Sequence, residues 1–231
     1  MQITIKKYDP ALDPAPYNVT KEVPYKDKMT LLEAIIYFHE NHQSVAYDYS
    51  CHGRMCGRCA VMLDGTPCLA CCTQLQNGNH TIEPLKGHPV IRDLVVDKRD
   101  FDDRLSKQYV RLRTEPINTV ELDKYDVVAA KTLYNMVNCT RCGSCDAACP
   151  VFTANPDQFV GPATMLAIAF RHLDSYDQGD RVLEAVSKGL YRCIMCGRCD
   201  QVCQRYEIKH IEAWTMLRRE AEKRNLKPSY A

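Results

Sequence analysis

The sequence predicts an α+β protein, a small mixed domain followed by an all-α one, and three observations carry that expectation. At the N-terminus Ile3 and Ile5 alternate with Gln2, Thr4 and Lys6, the period of a half-buried strand. From about Asp100 the composition turns charged and the apolar spacing helical. Within that later half a single cysteine pattern occurs twice, as Cys139-x-x-Cys142-Gly143-x-Cys145-Asp146-x-x-Cys149-Pro150 and as Cys193-x-x-Cys196-Gly197-x-Cys199-Asp200-x-x-Cys203.

Taken in order, the first strand ends at Asp9-Pro10, and Pro14 and Pro16 lead to a second strand expected over residues 18–25. Thr30-Leu31-Leu32-Glu33 reads as a capping box, in which the Thr30 hydroxyl accepts from the N3 amide and Glu33 reaches back. The helix it opens carries Leu32, Ile35, Ile36 and His39 along one face and ends near Asn41. A second apolar alternation, Val45 to Tyr49, leads into Cys51, Cys56 and Cys59, whose spacing matches a plant-type [2Fe–2S] loop. Gly53 and Gly57 allow the backbone to wrap closely, so that N–H groups screen the sulfides. Val61-Met62-Leu63-Asp64-Gly65 is a strand ending in an Asp-Gly turn, which returns a fourth ligand on a hairpin. By spacing alone Cys68, Cys71 and Cys72 compete for that role.

In the later half, residues 98–113 mix acids and bases and read as a solvated connection or surface helix. Val127, Val128, Leu133, Met136 and Val137 lie at roughly helical spacing within a helix expected over residues 125–138, which leads into Cys139. Gly161-Pro162 opens a helix through Leu173, with proline in the first turn. Another helix, over residues 180–190, delivers Cys193, and residues 208–225 form an amphipathic, charged tail.

Each copy of the repeated motif places four thiolates in eleven residues. A [4Fe–4S] cube takes three soft ligands from one tight loop and a fourth from elsewhere, and in two-cluster ferredoxins that fourth comes from the other copy. Cys139, Cys142 and Cys145 thus pair with Cys203 around one cube, and Cys193, Cys196 and Cys199 with Cys149 around a second. Structural zinc uses cysteine pairs split by a longer insert, for which this spacing is too crowded. A disulfide framework needs an oxidising compartment, and Met1-Gln2-Ile3-Thr4 opens no apolar signal segment. The reading is an electron-transfer protein.

The 231 residues carry a formal net charge of +1 with 26% charged residues, which speaks against a nucleic-acid binder. No uncharged apolar run reaches membrane-spanning length, so the chain is expected to be soluble, with membrane attachment made through partners. It contains no dinucleotide-binding glycine motif and no acid–base constellation. His39, His42, His88, His210 and Trp214 have ordinary surface or packing readings, whereas His52 and Arg54 lie inside the first cysteine loop.

Cys51 to Cys59, Leu69-Ala70-Cys71, Glu83-Pro84-Leu85 and Pro89-Val90-Ile91-Arg92-Asp93-Leu94-Val95-Val96-Asp97, followed by the two later motifs, resemble the iron–sulfur subunit of succinate dehydrogenase and fumarate reductase over essentially the whole chain. The resemblance implies a β-grasp [2Fe–2S] ferredoxin-like domain over 1–98 and an all-α dicluster ferredoxin domain over 99–231. It selects Cys71 as the fourth [2Fe–2S] ligand, which leaves Cys68 and Cys72 as small buried side chains. It implies that substrate chemistry belongs to a separate FAD-containing catalytic subunit, and that the partner at the other end is a membrane anchor or a cysteine-rich subunit at the membrane surface. The place implied is cytoplasmic, peripheral at the cytoplasmic face of the inner membrane. Two other readings are a thiol- or heterodisulfide-linked flavoprotein reductase subunit and a free-standing multicluster carrier.

The chain departs from the family pattern at two places. Most relatives lack the middle cysteine of the second motif and hold a [3Fe–4S] cluster there, whereas Cys196 completes the motif and predicts a second [4Fe–4S]. Quinone-using relatives carry tryptophans after the first Cys-Pro and a histidine after the first cysteine of the second motif. Thr153, Ala154 and Ile194 stand at those positions here, and none supplies an indole N–H or a proton relay.

Overall fold

The computed structural model describes residues 1–113, 127–205 and 207–230. The chain divides into two compact units, Met1–Asp100 with Thr140–Ala148, and Phe101–Cys139 with Cys149–Ala231. The first break lies two residues from the boundary expected at 98/99. The return of 140–148 to the first unit is a feature that linear spacing does not reveal.

In the first unit, β1 (Gln2–Lys7) buries Ile3 and Ile5 and is an interior strand of a five-stranded sheet. The order is β2-β1-β5-β3-β4, with β2 (Tyr17–Glu22), β3 (Ala60–Leu63), β4 (Thr66–Leu69) and β5 (Asn79–Pro84). β1 pairs parallel with β5 and every other neighbour is antiparallel, the mixed pattern of a β-grasp sheet. α1 (Leu31–Asn41) joins the same core through Leu31, Leu32, Ala34, Ile35 and Phe38. Ile36 is only half-buried, and Phe38 takes the place expected for it. The capping box forms in both halves: the Glu33 amide donates to Thr30 Oγ1 at 3.2 Å, and the Thr30 amide to Glu33 Oε2 at 2.7 Å. β3 and β4 turn at Asp64 and Gly65, both at positive φ, as a two-residue hairpin loop requires.

Residues 45–49 join no ladder. They run as a tether instead: the Ala46 amide donates to Asp93 Oδ2 at 2.8 Å, and the Ala46 carbonyl accepts from the Leu94 amide at 3.1 Å. Asp93 lies between the short strands β6 (Val90–Arg92) and β7 (Val95–Val96), accepts the Tyr8 amide, and pairs with Lys7 at 3.7 Å. Both charged side chains are buried.

The second unit is helical among its described residues. α2 (Arg99–Tyr109) buries Phe101, Leu105 and Gln108, so the segment read as a solvated connection or surface helix is a helix with one covered face. α3 (Val127–Val137) behaves the opposite way: Met136 alone is buried, and Val127 and Val128 are 79% and 77% exposed. Tyr125 and Asp126, where the sequence starts that helix, lie outside the described residues. α4 (Ser144–Ala148) belongs to the first unit, and α5 (Pro150–Ala154) opens with Cys149 as its cap. α6 (Pro162–His172) is buried over its first nine residues. It packs with α7 (Arg181–Ser187) and α9 (His210–Lys223) around Phe159, Leu166, Leu190, Trp214 and Leu217. A 3₁₀ turn (Leu190–Arg192) leads into the second cysteine motif, and the short α8 (Arg198–Val202) lies within it.

Candidate iron–sulfur sites

Residues 51–59 form an open loop in which His52, Arg54 and Gly57 hold positive φ. That curvature turns three amides inward: Gly53, Met55 and Cys56 donate to Cys51 Sγ at 3.4, 3.3 and 3.4 Å. These amides, with a contact from Cys56, hold the Cys51 thiol down to about 7. Cys59 is buried, and burial pushes its thiol up to about 12, although it accepts the Cys71 amide. Cys51 thus neighbours Cys56, and Cys59 neighbours Cys71, across the mouth of the hairpin. Four thiols in two pairs, edged by N–H donors, suit a two-iron centre with two thiolates on each iron. Cys68 and Cys72 are each pushed up to about 11 by burial, and Cys72 donates back to the Leu69 carbonyl at 3.6 Å.

Within the same unit, residues 140–148 form a loop and α4, with Arg141 and Gly143 at positive φ. α4 packs against β4, and Cys142 and Ala147 lie against the sheet core. Cys145 is buried and Cys142 half-buried. Lys98, which the sequence places in a solvated stretch, donates to the Cys142 carbonyl at 2.8 Å.

The second unit brings distant cysteines together. Cys149, at the head of α5, shares one recess with Cys193, Cys196 and Cys199, walled by Pro162 and Trp214. The recess measures about 300 Å³, mouth included. Met195 and Gly197 hold positive φ and bend the chain so that three of these sulfurs converge, with the Met195 amide 3.4 Å from Cys193 Sγ. α9 braces the loop: Arg218 donates to the Leu190 and Cys193 carbonyls at 2.9 and 2.5 Å. Asp200 accepts the His210 and Ile211 amides and pairs with His210 Nδ1 at 3.0 Å, which ties α8 to the start of α9. His210 is therefore a buried strut and no surface side chain. Burial pushes the Cys199 thiol up to about 12 and raises that of Cys193.

An all-sulfur donor set in an apolar recess selects a soft metal centre over a hard cation. Trp214 is fully buried in the wall, and its indole N–H has no partner among the described residues, so an acceptor brought by a bound group fits there. A lone tryptophan carries no local motif, so nothing in the sequence marks its place. Cys139 and Cys203 lie against the core of this unit. Ile194 is 64% exposed and Cys196 is exposed at the recess mouth, while Thr153 donates its hydroxyl to the Cys149 carbonyl at 2.6 Å.

Residues 2–103 match a family of 2Fe-2S iron-sulfur cluster binding domains, and residues 135–206 a 4Fe-4S dicluster domain. The chain is similar to the fumarate reductase iron-sulfur subunit of Haemophilus influenzae, 33% identical over 224 residues that cover 89% of this chain and 87% of the relative. It is also similar to a fumarate reductase (CoM/CoB) chain of Methanothermobacter marburgensis, 30% identical over 204 residues, 88% of this chain and 40% of the relative. Among solved structures, a chain of the Mycobacterium smegmatis Sdh1 complex in the apo form superposes with a TM-score of 0.82 at 23% identity, over 99% of this chain and 98% of that one.

Proposed function

The chain belongs to the iron–sulfur subunit family of fumarate reductases and succinate dehydrogenases, and from that premise we propose a ligand set and an electron partner for it. Its role is electron transfer within an oxidoreductase whose substrate chemistry takes place in a flavoprotein subunit. It carries a 2Fe-2S domain and a 4Fe-4S dicluster domain. Bound clusters supply reversible one-electron carriage; the chain's residues supply the ligands, the amide donors and the apolar walls. Our reading assigns Cys51, Cys56, Cys59 and Cys71 to the [2Fe–2S] centre, Cys139, Cys142, Cys145 and Cys203 to the first [4Fe–4S], and Cys193, Cys196, Cys199 and Cys149 to a second [4Fe–4S] in place of the family's usual [3Fe–4S].

The observation that carries this assignment is the recess shared by Cys149 and the second motif, since it joins a residue of one repeat to three of the other. Cys149→Ser is expected to weaken the signal of the terminal cluster and to spare that of the first cube. Iron should approach about ten per chain, two from the first centre and four from each cube, against about nine with a [3Fe–4S]. A strong [3Fe–4S] paramagnetic signal in protein isolated without air would overturn the second assignment.

The partners of the family are flavoprotein and membrane subunits. For this chain we place the electron partner at the mouth of the second recess, around Ile194 and Cys196. Thr153, whose hydroxyl serves its own helix, and Ile194 offer no quinone donor, which favours a cysteine-rich, cluster-bearing subunit at the cytoplasmic membrane surface over a quinone held directly. No described helix is long and apolar enough to cross a membrane. The similarity to the Methanothermobacter relative, named for CoM/CoB, favours a thiol-linked reductase as the second reading. Copurification followed by peptide identification of the partners separates the two.

A further inference from the structure

Inside the first unit, the loop of the first cysteine set meets the 140–148 loop at a close seam. A Cβ on Gly57 would stand 2.5 Å from the Thr140 carbonyl oxygen and 3.0 Å from Cys142 Cα, closer than Cβ atoms come to backbone. Gly57 also holds φ 69°, the left-handed region in which a side chain is strained. Backbone therefore lies directly on backbone, between Cys56 and Cys59 on one loop and Cys142 on the other. Gly143, the next residue of the second loop, is seated against Leu85 and His88 of the same unit.

Lys98 spans the seam. Its Nζ donates to the Cys142 carbonyl at 2.8 Å and reaches the Gly57 carbonyl at 3.5 Å, with the side chain half-buried. Each accepting carbonyl belongs to a cysteine loop, so one ammonium is bonded to the frames of both. A charged donor makes stronger bonds to carbonyls than a neutral one, and in a partly buried seam its field is screened less than at the surface.

We propose that Lys98 is a positioning residue for electron transfer between these two cysteine loops. Its ammonium ties Gly57 to Cys142, sets the separation of the two iron–sulfur sites, and places a positive charge between them. The inference rests on the ligand assignment above for Cys51, Cys56, Cys59, Cys71 and Cys142. Each site gains one negative charge on reduction, so a neighbouring cation favours the reduced form of both. The electron crosses alone, with no bond made or broken and no proton moved. Transfer falls steeply with distance, so a seam that holds backbone on backbone, with no side chain able to wedge it apart, keeps the crossing short.

The test uses the complete complex. Lys98→Met keeps the unbranched stem as far as Cε and removes the charge with both hydrogen bonds. With iron content unchanged, the midpoint potentials of both centres should move to more negative values. The microwave power that half-saturates the reduced [2Fe–2S] signal should fall several-fold, because the neighbouring reduced cube relaxes it less. Lys98→Arg, which keeps the charge, should leave both potentials near those of the unsubstituted complex. An iron-replete Lys98→Met complex with unchanged potentials and saturation overturns the proposal, as do potentials that fall with arginine as far as with methionine. If Lys98→Met does not assemble, amine labelling of the unsubstituted complex decides: Lys98 should react far more slowly than Lys223, whose side chain is 70% exposed, and equal rates overturn the clamp. A mistaken ligand assignment shows itself differently, as a missing [2Fe–2S] or cube signal in the unsubstituted complex.

Discussion

Cys71 and Cys72 are chain neighbours in different surroundings. The Cys71 amide donates to the Cys59 sulfur, whereas the Cys72 thiol donates back to Leu69. Cys71→Ser should damage the [2Fe–2S] visible spectrum, and Cys72→Ser should leave it nearly intact; the reverse result moves the ligand by one residue. Asp93 acts at the same scale without touching a cysteine. It fixes the end of β1 through Tyr8, the tether into the first cysteine loop through Ala46, and the buried Lys7 ammonium. Asp93→Ala leaves that ammonium without its carboxylate, a loss of about 3–5 kcal/mol by analogy with broken buried pairs. Denaturant unfolding should show the first unit melting far earlier, and a loss under about 1 kcal/mol would mean that Lys7 is served by the Ser44 carbonyl alone.

Among the elements, α7 shows how a short helix is held beneath the second cysteine motif. Asp180 caps it by accepting the Leu183 amide at 3.0 Å, and its carboxylate also pairs with Arg224 at the end of α9. Arg224 and the cap amide hold the carboxyl down to about 2. Because the folded value lies below the ordinary one of 3.8, this contribution is complete above about pH 4 and is lost only as pH falls through about 2. Asp180→Ala should cost about 1 kcal/mol, the usual worth of an N-cap, with the surface pair adding little. Amides of α7 should then exchange several-fold faster, by the same factor at about pH 5 as at about pH 8. A factor that changes across that range would show a different group titrating.

For the molecule as a whole, the mouth of the second recess decides which partner receives or supplies electrons. Ile194 stands exposed beside Cys196, an apolar side chain where charge would otherwise favour solvent. Ile194→Glu should weaken copurification of the electron partner at least several-fold, with the flavoprotein still attached. Loss of both proteins together, or of neither, would remove Ile194 from the docking surface.

The 2Fe-2S and 4Fe-4S domains were legible in the sequence because their cysteine spacing is local. Three cysteines within seven residues of one loop announce a cluster, as Thr30 with Glu33 announces a helix start and Asp64-Gly65 a hairpin, since neighbours in the chain satisfy each other there. The alternation of Ile3 and Ile5 likewise revealed β1, because a strand's period is written along its own length. Helical spacing was a weaker guide: it named α3 as a helix but left open which of its apolar residues are covered, because what a face packs against is not recorded in its period. Only tertiary structure returned 140–148 to the first unit, set Lys98 across two loops, placed Trp214 behind four cysteines, and bound Asp93 to Lys7. Each of these joins residues far apart in the chain, and such contacts are chosen by which surfaces bury one another when the whole chain closes.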